Sequence, residues 1–209
     1  IVWVTAPQLE QKPYATSFID GTRAAESLTI PTAGVLNPQE GTVECWAYVN
    51  PDIHKQGSDW NMIFVVTDSN EANQLRFGYH RTSGKWYGVT TNSAGAAWYA
   101  EFTVSNGWHH FALTWNQSTT TAKMYVDGII VAQNTSAPLP SAFASTARIG
   151  SWLGSIHVFN SLIDDLRISN KARSDEEILA AYQNNVPQPV DEWTTYKADF
   201  DEKIRFTND

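Results

Sequence analysis

Hydrophobic and polar residues alternate along most of this chain, and clusters of Gly, Pro, Asn, Asp and Ser interrupt the alternation about every 8–12 positions. Alternation of period two places apolar side chains on one face of an extended strand. The pattern predicts strands over residues 27–31, 41–49, 61–67, 73–80, 85–91, 97–104, 108–115, 122–126, 129–134, 147–151 and 155–168. Many short strands at that spacing imply two facing antiparallel sheets, so the fold class is all-β. One short helix is predicted over 174–182, where Ser174 is the N-cap and Glu177 completes a capping box. Asp175 and Glu176 suit the positive helix start, which gives these acids an ordinary structural role.

The segment 1–23 reads as the end of a preceding module or an entry strand, and 24–185 as the sandwich. Val186-Pro187-Gln188-Pro189-Val190 is a stiff linker that opens 186–209, a tail or the start of another module. The chain begins in strand-like sequence without Met, as a fragment of a longer polypeptide would.

The stretch 107–133 carries the most information. Gly107-Trp108-His109-His110-Phe111-Ala112-Leu113-Thr114-Trp115 is followed by a polar turn and then by a second strand running from Lys123 to Val126. Asp127-Gly128 then suits the positive φ angles of a tight hairpin turn. With the Trp108-x-His110 pair and Ile163-Asp164-Asp165-Leu166-Arg167-Ile168, this stretch resembles the laminin-G-like branch of the concanavalin-A-like lectin/glucanase jelly rolls. The resemblance implies a two-sheet antiparallel jelly-roll sandwich that closes on a short helix. It also implies recognition, since most members bind sugars or other partners without chemistry. Nearer the start, Pro7-Gln8-Leu9-Glu10, Ala15-Thr16-Ser17-Phe18-Ile19 and Gly21-Thr22-Arg23 are similar to the closing strand of jelly-roll modules in bacteriophage tail and fibre proteins.

Composition sharpens this reading. A sandwich core can absorb many of the nine Trp, eight Tyr and nine Phe, and most individual Trp are expected to be core or edge-covering, but nine Trp is generous for that purpose. Spare rings are what a sugar-binding face needs, because pyranose C–H faces stack on π surfaces. The net charge of −8, with scattered acids, argues against nucleic acid and against anionic membrane, both of which need clustered Lys and Arg. No stretch approaches the ~20 apolar residues of a membrane span. The lone Cys45 lies on the apolar side of its strand, as a buried thiol without chemistry.

The same superfold carries glucanases, so catalysis has to be tested. Retaining glycosidases need two carboxyls roughly 5 Å apart. No Glu-x-Asp-x-Glu string occurs, Glu44 has no second acid on its face, and Asp164 and Asp165 are adjacent and so point to opposite faces. His109 and His110 diverge for the same reason and cannot chelate one metal together. His110 is expected to be packed and hydrogen-bonded. No Gly-x-Ser-x-Gly elbow is present, although a Ser-His-Asp triad stays open. No catalytic residue is assigned.

Candidate ligand residues follow from parity and loop position. Glu44, Trp46 and Tyr48 share one strand face, a carboxylate beside two rings. Arg76 and His80 share parity, Trp86 flanks the Ser83-Gly84 turn, and Trp98-Tyr99 follow the 92–95 loop. Trp60 and Trp152 also lie beside loops. Asp164 shares the parity of Leu166 and Ile168, so its carboxylate needs a partner. The resemblance implies a structural calcium held by Asp20 and Asp164; capping of backbone amides, or pairing with Arg148 or Arg167, is the alternative.

These residues favour a non-catalytic, lectin-like module of a larger extracellular or virion-surface protein, binding polysaccharide or cell-surface glycan. A tail or fibre component attaching to a host is one context. The alternatives are a structural or protein-interaction module beside neighbouring domains, and an accessory module of a secreted polysaccharide-degrading enzyme. Assembly as a homo-oligomer stays open.

Overall fold

The computed structural model describes residues 28–54, 59–68, 70–152, 156–184, 190–198 and 204–205. In chain order these form β1 (Leu28–Pro31), β2 (Glu40–Val49), the single turn α1 (Pro51–His54), β3 (Trp60–Val66), β4 (Leu75–His80), β5 (Lys85–Thr91) and β6 (Ala97–Phe102). There follow β7 (Gly107–Asn116), β8 (Thr121–Val126), β9 (Ile129–Asn134), β10 (Thr146–Ile149), β11 (Leu162–Ser169), α2 (Asp175–Asn184), β12 (Thr194–Ala198) and β13 (Ile204–Arg205). The first sheet has the order β1-β10-β3-β4-β5-β6. The second has the order β12-β11-β2-β7-β8-β9, with β13 also paired to β11. All named strand pairs are antiparallel, which makes this a concanavalin-A-like jelly-roll sandwich.

The core lies between the sheets, where alternate residues of facing strands meet. Phe64, Leu75 and Phe77 from the first sheet face Phe111, Leu113, Trp115 and Met124 from the second, and all are fully buried. Cys45 lies in this core, and burial pushes its thiol well above the ordinary range. Trp86, expected beside a ligand, belongs here too: it is 2% exposed and stacks on Phe111 at 5.1 Å. In β5 the parity of Trp86 is that of Gly88 and Thr90, which face inward, while Lys85 and Tyr87 face out.

The two sheets differ on their outer faces. On the second sheet, α2 packs Ile178 against Ala112 and Tyr125 and stacks Tyr182 on Trp46 at 5.8 Å. Its start is the reciprocal capping box: Ser174 N–H donates to Glu177 Oε2 (2.8 Å) and Glu177 N–H to Ser174 Oγ (3.3 Å). The helix also rests on the β8–β9 turn, where Asp127 and Gly128 have φ of 52° and 76°. A Cβ on Gly128 would meet Leu179 at 2.8 Å, so the turn needs glycine for conformation and for contact. On the first sheet no helix among the described residues covers the outer face.

Two expectations about the last long strand change. Residues 156–161 form a loop rather than strand, because His157 and Asn160 take φ of 56° and 57°; only Val158 makes an isolated parallel bridge, to Met62. Between Asp164 and Arg167 the pairing with β2 shifts, and Asp165 has φ of 44°. This bulge reverses the alternation, so Asp164 lies opposite Trp46 and no longer shares the inward face of Leu166 and Ile168.

Candidate functional site

The expected platform of Glu44, Trp46 and Tyr48 sits under α2. Glu44 is 1% exposed and forms the centre of an ionic cluster. Its Oε1 accepts from Arg167 Nε (2.8 Å) and Nη2 (2.7 Å), with Arg173 Nε at 3.7 Å, and its Oε2 lies 3.3 Å from His110 Nε2. Burial raises the Glu44 pKa, but His110 and Arg167 outweigh it and hold the carboxyl below its usual value. Trp46 is clamped between Tyr182 and His110, and Tyr48 meets Trp108 edge-on at 5.7 Å. Parity correctly grouped the three residues on one face, but the helix that covers that face lies some 130 positions further on (175–184 against 44–48). This cluster fastens α2 and the segment before it to the second sheet, and His110 is packed as expected.

The outer face of the first sheet has the opposite character. Strand register lines up Arg148, Val65, Arg76, Val89 and Tyr99 in one row, and Met62, Gly78, Tyr87 and Glu101 in the next. Beyond them lie Trp60, His80 and Lys85. The rings form a continuous strip: Trp60 to His80 (4.4 Å), Trp60 to Tyr87 (5.6 Å) and Tyr87 to Tyr99 (6.4 Å). Tyr99 is 53% exposed, and Trp60, His80, Lys85 and Tyr87 are half-buried. Hydrogen-bonding groups interleave with the rings. Tyr87 donates to Glu101 Oε2 (3.0 Å), and His80 Nδ1 lies 3.0 Å from Ser83 Oγ. Gly78 lets β4 approach β3 closely, because a Cβ there would lie 2.4 Å from the Asn61 carbonyl.

One end of the strip is closed by residues 150–152 and 156–159, which bond to β3 through Gly150 N–H to Ile63 O (2.8 Å) and Met62 N–H to His157 O (3.1 Å). This brings Trp152 and His157 together at 5.4 Å. Arg76 lies between two indoles, its guanidinium 4.9 Å from the Trp60 ring and 4.4 Å from that of Trp152. Burial lowers its pKa, partly offset by the Tyr99 phenol and the Glu71 carboxylate. Burial likewise lowers the pKa of His157, partly against Asp59, with Arg76 adding to the fall.

Of the residues expected at a ligand, Arg76, His80 and Tyr99 thus meet on one face. Trp98 faces the other way and packs on the core. Tyr87, Glu101 and His157 were not anticipated there. The outward set Tyr87, Val89 and Thr91 was readable from the alternation of β5, but the fold-back of 156–158 leaves no period in the sequence.

A separate relay joins Ser105 Oγ to His109 Nε2 (3.2 Å) and His109 Nδ1 to Asp127 Oδ2 (2.7 Å). Its order is that of a nucleophilic triad, but Asp127 also accepts the His110 N–H at 3.0 Å from within the hairpin turn. Burial raises the Asp127 pKa while His109 and the His110 amide lower it further, leaving it depressed. The arrangement ties the β8–β9 turn to β7. For calcium, Asp164 Oδ1 accepts the Asp165 N–H at 2.8 Å, and no group of three His, Cys, Asp or Glu among the described residues could hold a metal. Asp20 and the phage-like segment lie outside the described residues.

The jelly roll thus has one covered outer face and one open face that is aromatic and polar. The family profile described as the concanavalin A-like lectin/glucanases superfamily, of laminin-G type, matches residues 20–179, and the chain belongs to that family. Solved structures share the fold at low identity. The native heptameric SAP-like pentraxin from Limulus polyphemus is 14% identical with a TM-score of 0.57, over 88% of this chain and 86% of that one. The Ruminococcus gnavus IT-sialidase CBM40 is 14% identical with a TM-score of 0.54, over 72% and 85%. The botulinum neurotoxin serotype G binding domain is 13% identical with a TM-score of 0.53, over 74% of this chain and 39% of that one. Against that domain and the HCR/D W1238A mutant, the chain spans only about two fifths of the longer protein. No curated protein matches the sequence at a significant level.

Proposed function

We propose that this chain is a non-catalytic glycan-binding module of a larger extracellular protein, and that the sugar lies on the outer face of the first sheet across Trp60, His80, Tyr87 and Tyr99. The observation that carries this reading is the ring strip itself. Tyr99 leaves an aromatic face in water at 53% exposure, beside hydrogen-bonding side chains that suit sugar hydroxyls. Family membership supports a lectin-like role, and the named structures include binding modules. No described helix is long and apolar enough to cross a membrane. Attachment to host glycan as a phage tail or fibre component is the finer reading, resting on residues 7–23. A glycan array tests the proposal: retention on at least one polysaccharide is expected, weakened roughly five- to tenfold by Tyr99→Ala, the worth of one lost stacking ring. No retention on any glycan, or an unchanged Tyr99→Ala variant, would favour a scaffold or protein-interaction module instead.

A further inference from the structure

The three arginines buried in the described sandwich are not equivalent. Arg167 and Arg173, each 4% exposed by side chain, face the carboxylates of Glu44 and Asp191 at 2.7 and 2.8 Å. Arg76 is 6% exposed, yet its Nε and Nη1 meet no hydrogen-bond acceptor and it forms no ion pair among the described residues. Glu71 acts on Arg76 only at longer range, without an ion pair, and the two other acids near it are committed elsewhere. Glu101 is held by Tyr87 (3.0 Å) and Lys85 (3.8 Å), and Asp59 by Arg81 (3.0 Å) and Thr82 (3.2 Å). Two indoles do not replace a counter-ion, because cation–π attraction is weaker than the cost of desolvating an ion. At neutral pH a guanidinium remains charged even when burial lowers its pKa. Arg148 also lacks an ion pair among the described residues and occupies the same row of the sheet, two strands away, so about 10 Å separates the backbones of the two arginines.

We infer that Arg76 is the receptor for a carboxylate on the ligand, so that the glycan bound by this face carries an acidic sugar. The inference rests on the glycan-binding reading above and names its ligand class. A guanidinium presents its donors as a planar fork that matches a carboxylate with two parallel hydrogen bonds. Trp60 and Trp152 hold the plane of that fork, while Tyr87 and Tyr99 offer ring faces beyond it for the sugar body.

The test compares paired probes with the intact chain. Polygalacturonate is set against its fully methyl-esterified form, and sialyllactose against lactose, by calorimetry or biolayer interferometry. At least one acidic member is expected to bind tenfold or more tighter than its neutral partner. Arg76→Lys, which keeps the charge but loses the fork, should erase most of that preference. Arg148→Gln should reduce it a few-fold while leaving the melting temperature unchanged, which keeps the test decisive if Arg76→Lys folds poorly. Equal binding of acidic and neutral partners, or a preference indifferent to both substitutions, overturns the inference and leaves the glycan-binding reading standing. Binding to neutral glycans alone does the same. Failure to bind any glycan on a wider array overturns both.

Discussion

Glu44→Gln removes a single charge from the buried cluster under α2 while keeping side-chain volume and one acceptor oxygen. In the native fold the Glu44 carboxylate takes two hydrogen bonds from Arg167 at 2.7 and 2.8 Å and lies 3.3 Å from His110. Without its charge the Arg167 guanidinium, 4% exposed, stays in the interior and loses the carboxylate now 2.7 Å from it. Breaking a buried pair from one side costs about 3–5 kcal/mol, a large share of the ~5–15 kcal/mol that holds a domain together. At ~2–4 °C per kcal/mol for a domain of this size, the melting temperature should fall by roughly 6–20 °C. Urea titration gives the free energy directly. The double variant Glu44→Gln/Arg167→Met should cost clearly less than the sum of the two single variants, since the orphaned charge is then gone. A loss below about 1 kcal/mol for Glu44→Gln, or simple additivity, would refute the ion-cluster account. Glycan retention should be unchanged, because Glu44 faces α2 and not the open sheet. The linkage sign agrees: a carboxyl held below 4.5 in the fold contributes fully above that pH, and its contribution is lost as pH falls through the folded value.

Three further outcomes follow from two buried groups and one helix cap. His54, enclosed by Tyr79, Trp86 and Phe159, has its pKa lowered by burial to about 4 from 6.5. The unfolded chain therefore binds the proton first: stability should be full above pH 6.5 and fall by up to about 3 kcal/mol toward pH 4, and His54→Phe should flatten that slope in urea titrations. Cys45, fully buried with a raised pKa, should resist a thiol reagent such as dithionitrobenzoate in the native protein and react at once in urea; rapid native labelling would contradict its placement. Ser174→Ala should cost about 1 kcal/mol through the lost α2 cap. In the same variant Glu177 should stay paired with Lys171 (2.9 Å), so a loss beyond about 2 kcal/mol would mean that the cap does more than satisfy the amide.

Much of the sandwich was legible because the period-two signal reports what burial demands of a strand. Residues 85–91 and 129–134 coincide with the observed strands, and the Asp127-Gly128 turn and the Ser174–Glu177 box form as their chemistry requires. The site was legible only in part. Alternation tells which side chains share a face but not what lies above that face, so Glu44 and Trp46 could not be distinguished from a surface platform until α2 was placed. A bulge shifts the phase within a strand, which moved Asp164 off the face of Leu166. Loops with positive φ leave no period, and the juxtaposition of Trp152 with Arg76 depends on one such loop. Parity singled out Arg76 together with His80, but its lack of an ion-paired carboxylate among the described residues is a property of the assembled sheet.

The most direct test of where recognition occurs is a backbone amide shift titration of the isotope-labelled chain with the best-retained glycan. The shifts should centre on β3 to β6, at Trp60, Arg76, His80, Tyr87 and Tyr99, with the amides around Trp46 and Tyr182 unmoved. Shifts centred under α2, or a uniform response without a focus on the first sheet, would contradict the account.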